Sequence, residues 1–270
     1  MKLDKNLNSF GKLNMITRTS ALLIAFVFFT KICFAWGQTG HRVVGFIAEQ
    51  HLNEKTKKAL QEILGNESLA IASTWMDEIK SDKNYDHTHD WHWVTVPDGE
   101  NYDATEKNKN GDVIEKINFF IAELKTKKVE PEKAKEYIRM LTHLIGDIHQ
   151  PLHVGKGDDK GGNNVKVTWF GKNSNLHRVW DSEIIDDKQL SYTEMATSIN
   201  FADATMVKNL QTSSVNNWVE EAISHRKVIY SLPEDLKLGY EYAYIHYPLV
   251  KKQLLYAGIR LAGVLNEIYG

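Results

Sequence analysis

Two His-x-x-x-Asp pairs stand close together in the chain, His143 with Asp147 and His177 with Asp181, and a further histidine, His153, lies between them. Residues four apart on a helix share one face, with Cβ atoms about 5–6 Å apart, so an imidazole and a carboxylate at this spacing can grip one cation. Imidazole with carboxylate favours zinc or a similar divalent transition metal. One such pair alone reads as a hydrogen bond on a helix surface. Two pairs change the reading, because Pro151 turns His153 to a new direction and a Gly161-Gly162-Asn163 loop separates the pairs.

The elements that must carry these residues are mostly helical by pattern. Residues 41–52 place Val44, Ile47, Ala48 and Leu52 at helical spacing with Thr39 available as a cap, and residues 55–64 form a second helix closed by Gly65. Residues 73–80 form a third helical piece, 83–90 a polar loop, and 91–96 alternate like a strand that Pro97 stops. Beyond a second polar loop at 101–112, helices are expected over 113–127 and 131–149, the latter opening on Pro131. A glycine-rich loop, 155–164, leads to a strand at 165–170 with a turn at 171–173, and helices follow over 176–185, 192–210, 215–230 and 240–269. The fold class is therefore all-α, with one or two short β-hairpins.

The N-terminus is set apart. Lys2, Lys5, Lys12 and Arg18 precede an apolar run, residues 21–29, that ends near Ala35. This reads as a cleaved secretory signal peptide spanning 1–35, too short to cross a bilayer, which takes about 20 apolar residues. An uncleaved anchor is the competing reading, since Lys31 interrupts the apolar run. The remaining 36–270 are expected to form a single domain. Removing the leader's five basic residues and one acidic residue from totals of 33 and 35 leaves 28 and 34, a formal charge of −6. A protein that holds nucleic acid by phosphate neutralisation alone is basic, so any polyanion contact here must be local or metal-borne. The only cysteine, Cys33, lies in the leader, which excludes disulfides and thiolate ligands from the mature chain and hints at a bacterial source.

Seven separated segments then occur in a recognisable order: Trp36 at the expected new terminus, His41, Ser73-Thr74-Trp75-Met76-Asp77, Trp91-His92-Trp93, the run from His143 to His153, Gly161-Gly162-Asn163, and Asn175 to Asp181. In these the chain resembles the S1/P1 nuclease family. The resemblance implies an α-helical, phospholipase C/P1 nuclease-like fold with three zinc ions. Asp77, His92 and His143 would hold one, with Asp147 bridging to a second that His41 and the amino nitrogen and carbonyl oxygen of Trp36 complete. The third would take His153, His177 and Asp181.

It further implies a hydrolase that cuts single-stranded DNA and RNA to 5′-phosphorylated products by attack of zinc-bound hydroxide on phosphorus. Activity on 3′-mononucleotides is a second expectation. Asp77 would ligate and orient the attacking water. Lys80 stands where the family commonly has an arginine facing the phosphate, and as a point charge it lacks the bidentate fork; the other reading is a solvated helix lysine. Asn163 would contact phosphate or water, or serve only its turn. Trp93 would stack a base, or pack in the core. The mature chain is expected to be exported, periplasmic or secreted, away from the membrane and without a stable protein partner. A zinc phospholipase C and a non-enzymatic zinc-binding helical protein are the alternatives. His51, His149, His225 and His246 are read as structural or surface residues, and His87 and His89 as a cleft rim.

Overall fold

The computed structural model describes residues 36–270, so the expected leader lies outside the described residues. Twelve α segments dominate, and those that position the site are built from strongly patterned sequence. α1 (Gln38–Gln50) buries Val43, Val44, Ile47 and Ala48. Thr39, the expected cap, lies inside the helix, which starts after Gly37 without a side-chain cap. α2 (Glu54–Leu64) is capped by the Asn53 side chain and ends at Gly65, whose φ of 66° suits glycine.

The expected helix over 73–80 is instead α4 (Trp75–Glu78) and a 3-10 turn, Ile79–Ser81, set off from a preceding α3 (Leu69–Ala72) capped by Ser68. The break falls at Ser73, whose carbonyl is taken by a histidine ring from elsewhere in the chain. The expected strand at 91–96 is also corrected. Residues Lys83–His92 form a 3-10 helix capped by Asp82, and only β1 (Val94–Thr95) is extended. Trp91 is anchored through its indole N–H to Asn110 O, so the apparent alternation of this segment comes from a helical turn.

α5 (Val113–Lys125) and α6 (Pro131–Ile148) match their periodicity. In its last two turns α6 is buried on every side, from Met140 to Ile148, so it runs through the core with no solvated face. A 3-10 turn, Pro151–His153, leads into β2 (Val154–Gly155), which pairs in parallel with β1. β3 (Lys166–Trp169) and β4 (Lys172–Asn175) form the expected hairpin. Its loop is Phe170-Gly171, one residue earlier than the sequence indicated, with φ of 47° and 76°. Positive φ at both loop residues matches the twist of a two-residue hairpin.

The expected helix at 176–185 is instead α7 (Leu176–Arg178), a π-helical turn (Val179–Glu183) and α8 (Ile184–Asp186). The expected helix at 192–210 divides into α9 (Tyr192–Ile199) and α10 (Ala204–Gln211), because Asp203 caps a new start by accepting from Met206 N. α11 (Val215–Ile229) and α12 (Tyr240–Tyr269) follow, with β5 (Lys237–Leu238) joining β3 in parallel between them. No described helix is long and apolar enough to cross a membrane.

The core joins the two ends of the described chain. α12 lies on α1, and Gly258 permits it: a Cβ there would stand 2.6 Å from the Ile47 side chain. Gly45 does the same for α3, since its added Cβ would meet Leu69 O at 2.4 Å. The obstacle at Gly45 is backbone, which cannot rotate away. Gly45→Ala should therefore destabilise by about 1–3 kcal/mol, the usual range for overpacking, and lower the thermal midpoint by several degrees in a chain of this size. A calorimetric scan of the variant against the parent checks it.

Candidate metal centre

α6 delivers His143 and Asp147, both fully buried, to the middle of the molecule. His143 Nδ1 donates to Ser73 O at 2.7 Å, which leaves Nε2 as a bare lone pair. That nitrogen stands 3.3 Å from Asp147 Oδ2, 3.7 Å from Asp77 Oδ1 and 3.1 Å from His92 Nδ1. Asp77 comes from α4 and His92 from the last residue of the 3-10 helix. His41 arrives from α1, stacks on the His143 ring at 4.0 Å, and holds Nε2 3.3 Å from Asp147 Oδ1. The two oxygens of Asp147 thus face different neighbours, Oδ1 toward His41 and Oδ2 toward His92 and His143.

A second cluster is made of His153 in its 3-10 turn, His177 in α7 and Asp181 in the π turn. Nε2 of His153 and of His177 lie 3.5 and 3.2 Å from the Asp181 carboxylate. Here too each Nδ1 donates to a backbone carbonyl, His153 to His92 O at 2.7 Å and His177 to Gly161 O at 2.6 Å. Gln150 joins the set from both ends: its amide donates to Asp181 Oδ1 at 2.5 Å and its carbonyl accepts from Leu152 N.

These residues fall into three groups that could hold a cation: His41, His143 and Asp147; Asp77, His92 and His143; His153, His177 and Asp181. Two observations fit them to metal. An ion with tetrahedral ligands at about 2.0–2.1 Å has donor–donor edges of about 3.3 Å, which the separations above approach. Moreover His41 Nε2, Asp77 Oδ2, Asp147 Oδ1, His153 Nε2 and His177 Nε2 are buried without a hydrogen-bond partner. An unsatisfied buried polar atom costs about 1–3 kcal/mol, so five would cost roughly 5–15 kcal/mol, comparable to the whole stability of a domain. A cation offsets that cost, and the nitrogen and oxygen donors suit a divalent transition metal.

The electrostatics agree. Burial, reinforced by the nearby His143, pushes His41 down to about 4, and burial with Lys80 does the same to His92, so both rings are neutral at ordinary pH, the form that can ligate. Burial also lowers His153 and His177. Burial opposes charge on Asp147, yet His143 and the hydrogen bonds around it hold this carboxyl well below its usual range. His143 is correspondingly raised, burial being outweighed by Asp147 and Asp77. At Asp181 burial outweighs the opposing pull of His177 and Gln150 and pushes the carboxyl up to about 8.

The remaining sequence candidates are placed as follows. Lys80 turns inward, with Nζ 2.5 Å from Asp77 Oδ1, which removes the reading of a solvated lysine. Trp93 is 42% exposed, which removes the core reading. Asn163 follows the Gly161-Gly162 turn and donates its amide to Lys160 O. Trp36 is fully buried, and the next amide, Gly37 N, donates to Asp181 O at 2.6 Å.

His149 is structural, bonded to Ile145 O and to the Arg260 guanidinium. His51 is half-buried and bonded to Asn200, not on the open surface. Sequence reasoning assigned no role to Gln150 or Gly146. Gln150 belongs to the quoted run, but a glutamine has no metal-ligand signature. A Cβ on Gly146 would stand 2.7 Å from His41 Nδ1, so the glycine between His143 and Asp147 on α6 is the seat of the His41 ring.

Two outcomes are expected. Gly146→Ala should displace His41 from Asp147 and leave the dialysed protein with a lower metal-to-protein ratio than the parent. Metal uptake should also expel protons, because Asp181, at about 8, is protonated at pH 6 without metal. At least one proton should leave at pH 6, making affinity rise with pH. Calorimetric titrations in buffers of different ionisation heat measure this, and a count of zero contradicts it.

A family model described as S1/P1 Nuclease matches residues 36–270. Endonuclease 4 of Arabidopsis thaliana is 31% identical over 272 residues, covering 87% of this chain and 89% of the relative. Nuclease S1 of Aspergillus oryzae is 29% identical over 182 residues, 64% of this chain and 62% of that protein. Among solved structures, the alpha toxin from Clostridium absonum has a TM-score of 0.48 at 16% identity, covering 88% of this chain and 67% of the toxin.

Proposed function

The chain belongs to the S1/P1 nuclease family, and from that premise we propose that it is an exported, zinc-dependent phosphodiesterase of single-stranded DNA and RNA. Its products carry 5′-phosphates, and it also acts on 3′-mononucleotides. Residues 36–270 are its single catalytic domain once the leader is removed after Ala35. The observation that carries the reading is the set of three buried His and Asp groups with bare ring nitrogens.

In this reading three zinc ions are held. Asp77, His92, His143 and Asp147 would hold the first. His41, Asp147 and the freed amino nitrogen and carbonyl oxygen of Trp36 would hold the second. His153, His177 and Asp181 would hold the third. Zinc so bound lowers the pKa of a coordinated water toward neutrality and stabilises charge on phosphate oxygens.

The chain's own groups do the rest. Asp77 both ligates and offers an acceptor that orients the attacking water. Lys80 places a positive charge beside Asp77, where an anionic phosphate enters, and its single ammonium gives less directional help than a guanidinium fork. Asn163 hydrogen-bonds the phosphate from the glycine turn that supports His177. The exposed Trp93 ring, next to His92, stacks a base, an interaction worth about 1–3 kcal/mol that tolerates any sequence. This explains single-strand preference, since a paired base is not free to stack. Local positive charge from the ions also reconciles polyanion binding with an acidic chain.

The test is a substrate panel on protein beginning at Trp36 and loaded with zinc: single-stranded DNA, RNA, duplex DNA, a 3′-mononucleotide and phosphatidylcholine vesicles. Single strands should be cut with 5′-phosphate ends, and hydrolysis of the lipid alone overturns the assignment. Asp147→Asn should lower kcat/KM by more than the ~10- to 100-fold typical of groups that only orient a ligand, with two zinc ions lost together. Trp93→Ala should raise KM for single strands by roughly 5- to 150-fold while leaving zinc content intact.

A further inference from the structure

α11 contributes no candidate ligand, yet one face of it grips the backbone around the His153, His177 and Asp181 group. Arg226 and Tyr230 lie four residues apart, on the same side of the chain as it leaves this helix. Arg226 is 5% exposed and directs its guanidinium at the two-residue pairing of β1 with β2. Its Nε and Nη2 donate to Val154 O at 3.0 and 2.5 Å, Nη2 also to Gly155 O at 3.0 Å, and Nη1 to Val96 O at 2.8 Å and Asp98 Oδ1 at 3.0 Å. A guanidinium has five N–H groups, so every donor is engaged. Two-residue strands have little stability of their own, and this fork ties their ends together. Those strands follow His153 directly and His92 by two residues, and His92 O is the acceptor that holds His153 Nδ1.

Tyr230 acts on the other ligand ring. Its hydroxyl donates to Asp159 Oδ2 at 2.7 Å, and Asp159 Oδ1 accepts from Gly162 N at 3.0 Å. Gly161 and Gly162 have φ of 58° and 81°, a turn that Asp159 holds in shape, and Gly161 O is the acceptor for His177 Nδ1. The turn lies tight against the chain, since a Cβ on Gly161 would stand 2.3 Å from Leu152 O.

We propose that Arg226 and Tyr230 are positioning residues for the His153, His177 and Asp181 group: they touch none of its side chains but fix the two carbonyls that set the tautomer and aim of its histidines. The proposal rests on the metal reading above for its functional consequence, not for its geometry. A ring freed from its carbonyl can protonate Nε2 and turn, which removes the lone pair offered to metal. The pairing is specific: Arg226 governs His153 through His92 O, and Tyr230 governs His177 through Asp159 and Gly161 O.

The test uses Tyr230→Phe, which removes one oxygen, and Arg226→Lys, which keeps the charge and loses the fork. In metal-free, 15N-labelled protein, ring nitrogen shifts report the tautomers of His153 and His177 directly. The parent should show Nδ1–H for both. Tyr230→Phe should shift His177 toward a mixture and leave His153 unchanged, and Arg226→Lys should do the reverse. Zinc titration should then show one site weakened by about 10- to 100-fold and the others unaltered. Parental tautomers at His177 in Tyr230→Phe overturn the proposal, as does equal weakening of every site, which marks a merely structural role. If the parent takes no ion at the third group, the metal reading fails, while the tautomer measurement still decides the positioning claim.

Discussion

Three backbone carbonyls set the chemistry of this protein. Ser73 O, His92 O and Gly161 O each receive the Nδ1 proton of a buried histidine, at 2.6–2.7 Å. Imidazole has two nitrogens that exchange roles freely in water, and only one arrangement leaves Nε2 bare. Each carbonyl selects that arrangement and fixes the plane of its ring. Much of the irregularity in the fold traces to this requirement. The helix ending before Ser73 and the left-handed turn at Gly161 place a carbonyl where a regular helix or strand would have used it internally.

Around these rings the molecule accepts an arrangement that burial alone disfavours. A wholly buried carboxylate such as Asp147 is tolerable because imidazoles surround both of its oxygens, whereas burial, with Asp147 and Asp77 adding to it, outweighs His177 and Gln150 at Asp181 and drives it toward its neutral form. The two clusters therefore differ without metal: the Asp147 carboxyl is held toward its charged form, and the Asp181 carboxyl toward its neutral form. Lys80 adds a cation at the rim of the first, which further lowers the tendency of His92 to protonate.

The sequence disclosed this site unevenly. His143 with Asp147 and His177 with Asp181 were readable because spacing along a helix is local information, although the π turn that carries Asp181 was hidden in an unremarkable helical pattern. His41, Asp77 and His92 came only through resemblance, since no local rule says that segments this far apart converge. The helical class, the long terminal helix and the β3–β4 hairpin followed from periodicity and turn chemistry. The supposed strand at 91–96 failed because a 3-10 helix rich in aromatic and polar residues mimics alternation. Gln150, Gly146, Arg226 and Tyr230 were not read as site residues because each works through backbone or shape, and neither leaves a mark in one sequence.

The contact between α1 and α12 bears on the order of events in the life of the chain. The first helix carries His41, and its apolar face is completed by the last helix, packed at Gly258. Contacts between the earliest and latest residues close the longest loop available, and such topologies form slowly. The helix that carries His41 therefore lacks part of its packing until α12 is in place. Assembly of the centre waits for α12, and a chain truncated between Asp181 and α12 carries all of the candidate histidine and aspartate ligands but not the helix on which α1, the bearer of His41, packs.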